Sequence, residues 1–204
     1  MKFFALLMLL CAGALAEMPA GFPATEVRDF ERLYADFNFV AHTIARFEQV
    51  RTLPSGRVLR SRGTFEFRRG VGMMWRTESP VRNAMIISKR SLVLYGAKAQ
   101  ELRRTDLSGS PAAQYTTVFL DGAKPERLQD LTRAFRVTYS KNGDKTVLGL
   151  QAKHAEMDLR FLVVEVQKGD VRRVEYESAR QGHTVVFFKD VKNGHKVPSQ
   201  SFKI

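Results

Sequence analysis

The residue types that support catalysis are sparse in this chain, and none falls at a productive spacing. Its four histidines, His42, His154, His183 and His195, lie far apart and form no H-x-x-x-H or related metal-ligand pair. No G-x-S-x-G elbow occurs, and Ser108-Gly109-Ser110-Pro111 carries ordinary loop-forming residues. Gly70-Val71-Gly72 joins two strand-like runs with no helix after it, so it reads as a turn rather than a phosphate loop. The single thiol, Cys11, sits in the first apolar run, and export chemistry would remove it. The pattern assigns no catalytic residue, no metal site and no cofactor. It leaves open only a site assembled from distant residues.

The chemistry on offer is apolar. Fifteen Phe and seven Met are many for this length. Phe is bulky and Met is adaptable, a combination suited to a cavity for flexible acyl chains. Alternation selects Phe47, Phe65, Phe67, Met73, Trp75, Leu92, Leu94, Phe161 and Phe187 as a candidate lining. Each of these alone fits plain core packing. As a group they point to a cavity, because only two short helical regions are available to fill the space. Each acyl CH₂ buried there would contribute about 0.8 kcal/mol. Arg69 shares the parity of Phe65 and Phe67. If buried it must find acceptors, because an unpaired charge is costly in an apolar site. The alternative is a strand-end side chain whose head reaches water.

The elements that must position these residues are mostly strands. Period-two alternation marks 44–53, 58–69, 73–78, 85–88, 91–95, 135–141, 145–151, 159–166, 171–178 and 184–188, with a last short strand around Phe202. Pro54-Ser55-Gly56, Lys89-Arg90, Asn142-Gly143 and Gly169-Asp170 supply turns. Helical spacing of Val27, Phe30, Leu33 and Tyr34 predicts a helix over 25–35 with Thr25 as its cap. Residues 37–44 either extend that helix or begin the first strand. A second helical region spans 113–134, divided by Gly122 and Pro125, with Leu128 and Leu131 on its apolar edge. Short, evenly spaced strands argue for one antiparallel sheet curling on itself, with helices enough to cover one face only.

The N-terminus reads as an export signal. Lys2, the apolar run Phe3–Leu10 and the small-x-small Ala14-Leu15-Ala16 stand in the required order. The run is shorter than the roughly 20 residues a membrane span needs. Cleavage is expected after Ala16, leaving 17–204 as one domain in the periplasm. Leu10 before Cys11 does not fit a lipidation box, which needs a small residue there. The remainder has no cysteine and must be held by an ordinary core. The formal net charge of +12 would suit nucleic acid, anionic lipid or an acidic partner. Export argues against nucleic acid. Scattered Arg pairs such as Arg68-Arg69 and Arg172-Arg173 also read as a solvated, self-repelling surface.

The segment Phe47-Glu48-Gln49, followed by Gly63, Arg69, Trp75 and Pro80 at matching spacing, resembles the LolA family of outer-membrane lipoprotein carriers. The hairpin from Ile86 to Tyr95 and the stretch from Leu159 to Gly194 are similar to later strands of that family. The resemblance implies an unclosed antiparallel β half-barrel covered by short helices as a lid. It implies a monomeric carrier that ferries acylated lipoproteins from an inner-membrane donor complex to an outer-membrane acceptor. It also implies that Arg69 is a latch whose hydrogen bonds to lid carbonyls open and close with cargo. Three departures bear on the cargo: Gly70 where the family has Pro, Lys89-Arg90 in place of an Asx-Gly turn, and Tyr95-Gly96-Ala97 in place of Tyr-x-Pro. A glycolipid or pigment-ester carrier fits these departures. So does a regulatory or sensor domain that grips a partner protein. An envelope hydrolase with an unrecognised site is the third alternative.

Overall fold

The computed structural model describes residues 18–37, 41–108, 120 and 124–194. The expected leader and the expected strand at Phe202 lie outside the described residues, as does most of 109–123. Eleven strands form one sheet: β1 (His42–Thr52), β2 (Val58–Arg68), β3 (Gly72–Ser79), β4 (Asn83–Ser88), β5 (Ser91–Tyr95), β6 (Glu101–Asp106), β7 (Phe135–Asn142), β8 (Lys145–Ala152), β9 (Leu159–Gln167), β10 (Asp170–Ser178) and β11 (Gly182–Asn193). Among the described residues two helices are given whole, α1 (Phe30–Phe37) and α2 (Pro125–Asp130), the latter running into a 3₁₀ turn at Leu131–Arg133.

The strand order is β6-β5-β4-β3-β2-β1-β11-β10-β9-β8-β7, antiparallel throughout. Two meanders therefore meet where β1 pairs with β11, and β6 and β7 remain as separate edges. This is the single antiparallel sheet the alternation implied, in the unclosed form the resemblance implied. The edge at β7 is covered. Thr25–Val27 run alongside it, with Val27 N–H donating to Val137 O at 2.9 Å and Tyr139 N–H to Thr25 O at 2.8 Å. Covering an edge in this way blocks pairing with other chains.

That pairing corrects the expected helix start. Residues 25–27 are extended, and α1 begins at Phe30. Asp29, not Thr25, caps it: its Oδ1 accepts the Arg32 N–H at 2.9 Å. Thr25 and Val27 spend their backbone groups on β7 instead, so a tertiary contact overrides the helical spacing. Residues 42–44 join the first strand rather than the helix. The strand β6, Glu-Leu-Arg-Arg-Thr-Asp, was not expected, because an edge strand with solvent on both sides needs no apolar alternation. The last described strand runs on to Asn193, past a register shift near Asp190, which takes φ 51°.

The helices pack on one half of one face. Leu33 of α1 and Leu128 and Leu131 after Pro125 are buried against Phe135, Val137, Leu148, Leu150, Val164 and Val166 of β7–β9. Asp36 ties α1 down: it accepts hydrogen bonds from the Tyr139 hydroxyl and the Lys141 ammonium of β7. Those bonds hold the Asp36 carboxyl below its usual range. Burial, aided by the bond to Asp36, pushes the Tyr139 phenol up to about 12. On the opposite face, Met18 and Phe22 cover Val147, Phe161 and Val163, with Phe22 edge-on to Phe161 at 6.5 Å.

Candidate binding cavity

Beside the region that α1 and α2 cover, the same face carries a cavity lined by residues of β1–β5 and β8–β11. Its volume is about 980 Å³, at the upper end of the ~300–1,000 Å³ typical of ligand pockets. Strand parity builds its floor. On β1 the odd residues Thr43, Ala45, Phe47, Gln49 and Arg51 face in. Their partners Phe67, Phe65 and Ser61 on β2 do the same, and so do Met73 and Trp75 on β3. Phe65 stacks on Trp75 with centroids 4.4 Å apart and meets Phe188 at 5.2 Å. Val58, Leu59 and Val81, all exposed, mark the mouth.

Of the residues selected from the sequence, Phe47, Phe65, Phe67, Met73, Trp75 and Leu94 line this cavity. Leu92 has the same parity as Leu94 but lies outside the lining. Phe161 and Phe187 are corrections. Phe161 is buried under Met18 and Phe22 on the opposite face. Phe187 also points away from the cavity and is 42% exposed, while its neighbour Phe188 faces in. The cause is common to both. The runs Phe161-Leu162-Val163-Val164 and Val185-Val186-Phe187-Phe188 are apolar at every position, so alternation cannot assign their faces. The run in β9 is apolar on both sides because helices cover one side and the N-terminal segment the other.

Arg69 sits at the turn between β2 and β3, with its N–H donating to Ala41 O at 2.8 Å. It is partly buried, and its Nε is fully so. The adjacent Gly70 N–H donates to Leu120 O at 2.7 Å, and Leu120 is itself fully buried. The turn after Arg69 is thus in contact with Leu120.

Sequence reasoning missed two features. One is a polar ladder on the face opposite the cavity. Lys145 and Arg173 approach Glu165 at 2.8 and 2.6 Å, Arg173 also bonds Glu175, and His183 Nε2 lies 2.6 Å from Glu175 Oε1. Burial opposes ionisation of Glu165, but the bonds from Lys145 and Arg173 outweigh it and lower its pKa. Among the described residues no cluster of His, Cys, Asp or Glu is arranged to hold a metal. The second feature is Arg51, which faces into the cavity. Its parity with Phe47 on β1 was the available signal.

The sequence profile of the family described as outer membrane lipoprotein carrier protein LolA matches residues 40–204. The chain belongs to the LolA family. No curated protein matches it significantly. Among solved structures, a LolA superfamily protein from Nitrosomonas europaea is 12% identical, with 87% of this chain and 99% of that one covered and a TM-score of 0.44. A putative outer membrane lipoprotein-sorting protein domain from Vibrio parahaemolyticus is 11% identical, covering 85% and 94%, at 0.43. MucB in the MucA/MucB complex of Pseudomonas aeruginosa is 11% identical, covering 84% and 58%, at 0.44. No helix among the described residues is long and apolar enough to cross a membrane.

Proposed function

We propose that this LolA family member is an exported, non-enzymatic carrier that shelters acyl chains of a lipoprotein, or of another acylated envelope molecule, in its cavity. The observation that carries this reading is a space of about 980 Å³ walled by Phe47, Phe65, Phe67, Met73 and Trp75, beside the β7–β9 region that α1 and α2 cover. Sixteen residues are removed after Ala16, and the chain from Glu17 onward works in the periplasm as a monomer. It receives cargo from an inner-membrane donor and yields it to an outer-membrane acceptor. Arg69 acts as the latch between the sheet and the covering segment. The Gly70–Leu120 hydrogen bond supports that role by bringing the two together.

The test is native mass spectrometry with organic extraction of the protein purified from the periplasm. A stoichiometric acylated ligand is expected. A protein that stays empty after incubation with envelope lipids and lipoproteins overturns the reading. It would then favour a regulatory domain that grips a partner protein. For the latch, Arg69→Leu is expected to change the rate of cargo release. Wild-type release by that variant refutes the role.

A further inference from the structure

The cavity is polar at two ends, and the two ends differ in how their polar groups are satisfied. At one end Thr43 Oγ1 donates to Asn193 Oδ1 at 2.8 Å, and Asn193 Nδ2 donates to Asp170 Oδ1 at 2.6 Å. Those groups need nothing further. At the other end stands Arg51, facing in beside Gln49 and Ser61. Its Nε is buried and has no hydrogen-bond partner among the described residues. Directly opposite it on the β1–β11 ladder is Thr184, fully buried, whose Oγ1 likewise has no partner.

A buried donor without an acceptor costs on the order of 1–3 kcal/mol, and more when it is charged. Thr184 lies outside the cavity lining, so the Arg51 guanidinium is the group an occupant would meet. The described cavity lining cannot supply an anionic acceptor, since it contains Arg51 and Arg60 but no Asp or Glu. An anionic acceptor for the guanidinium would come with the occupant. An acyl chain on the aromatic floor would run from Phe47 and Trp75 toward Gln49 and Arg51, which places its head near the mouth at Leu59 and Val81.

We infer that the Arg51 end of the cavity is an oxyanion site, so that the cargo is an acylated amphiphile whose phosphate or carboxylate head is held by the Arg51 guanidinium. This rests on the acyl-binding reading and sharpens it, because a purely apolar cavity would accept any chain. Guanidinium offers a fork of donors that matches such oxygens in pairs.

The test titrates the delipidated protein with three probes of one chain length: palmitoyl lysophosphatidate, palmitate and neutral monopalmitoylglycerol. The wild-type protein should bind at least one anionic probe about tenfold or more tightly than the neutral one. Arg51→Gln should abolish that preference and leave the neutral probe's affinity unchanged. Arg51→Lys should retain part of it, and Arg57→Gln, outside the lining, should retain all of it. The ratio of lysophosphatidate to palmitate affinity identifies the oxyanion. Equal binding of charged and neutral probes, or a preference that survives Arg51→Gln or disappears in Arg57→Gln, overturns the headgroup site alone. Failure of all three probes to bind the wild type overturns the acyl-binding reading with it.

Discussion

Gly63 should be hard to replace, because β2 and β3 approach closely there. It sits on β2 at a register shift against β3, opposite Thr77. A Cβ added there would lie 1.8 Å from Arg76 O, 2.8 Å from Arg76 C and 3.0 Å from Thr77 Cα. All three are backbone atoms, so no side chain can swing away. A carbon tolerates an oxygen no nearer than about 3.3 Å, so β2 and β3 would have to part by roughly 1.5 Å at this point. That separation costs about 1–3 kcal/mol for overpacking and about 1 kcal/mol for a weakened ladder bond. It also disturbs the Phe65–Trp75 stack two residues along. Gly63→Ala is therefore expected to lose about 3 kcal/mol in urea unfolding. For a domain of this size that corresponds to a fall in Tm of about 10 °C. The control is Gly56→Ala, where φ is +80° and nothing lies within 4 Å. Only the left-handed conformation opposes it, at about 1–2 kcal/mol, partly offset by reduced freedom of the unfolded chain. If the two variants unfold at the same urea concentration, the argument from close strand approach is wrong.

Three further outcomes follow from the rest of the molecule. The Asp36 carboxyl is held below its unfolded value, so its contribution is present above the ordinary Asp range and lost as pH falls through the folded pKa. Tyr139 is raised to about 12, so its contribution is complete below about 10 and lost as pH climbs from there to about 12. Asp36→Asn should flatten the acid limb of a stability–pH profile. An unchanged limb would show that α1 is not held by this staple. Replacing the α1 cap by Asp29→Ala should cost about 1 kcal/mol in chemical denaturation, and no loss would place the cap elsewhere. Glu175→Ala, which strips Arg173 and His183 of their shared acceptor, should cost on the order of 1–3 kcal/mol. A smaller loss in Glu175→Ala than in Lys145→Ala at the exposed end of the ladder would contradict the ranking by burial.

Much of the sheet was legible because the strands that wall the cavity alternate. In Thr64-Phe65-Glu66-Phe67-Arg68 the two phenylalanines face the cavity and the charges face away, as spacing alone implies. Legibility ends where that contrast ends. β6 is charged along its length because one side has no neighbouring strand. Phe161 and Phe187 lie in runs with no polar partner to mark the other face. Thr25 looked like a helix cap because its hydrogen-bonding partner, Tyr139, is remote in sequence. Arg51 was as visible as Arg69, since both share parity with aromatic residues. What the sequence lacked was the β1–β11 register, which sets Thr184 across from it.

The distribution of charge over the two faces of the sheet argues for a cavity that is held open rather than a core that is poorly packed. On the outer face over β8–β11, the buried Glu175 is met by Arg173 and His183, and Glu165 by Lys145 and Arg173. On the inner face over β7–β9, Leu33, Leu128 and Leu131 fill the space between the helices and the strands. Both regions meet the ordinary demands of a folded chain: paired charge and dense apolar contact. Over β1–β3 and β11 Ala45, Phe47, Val186 and Phe188 pack together, yet the described residues leave free volume beside Phe65, Phe67, Met73 and Trp75, and Arg51 joins its lining. Filling that space would need no new fold, because a larger residue at Ala45, which faces it from β1, would begin to close it. A small residue there keeps the floor of the cavity clear, and an occupant with an apolar chain and an oxyanion head would cover the half-buried aromatic floor and pair with the Arg51 guanidinium at once.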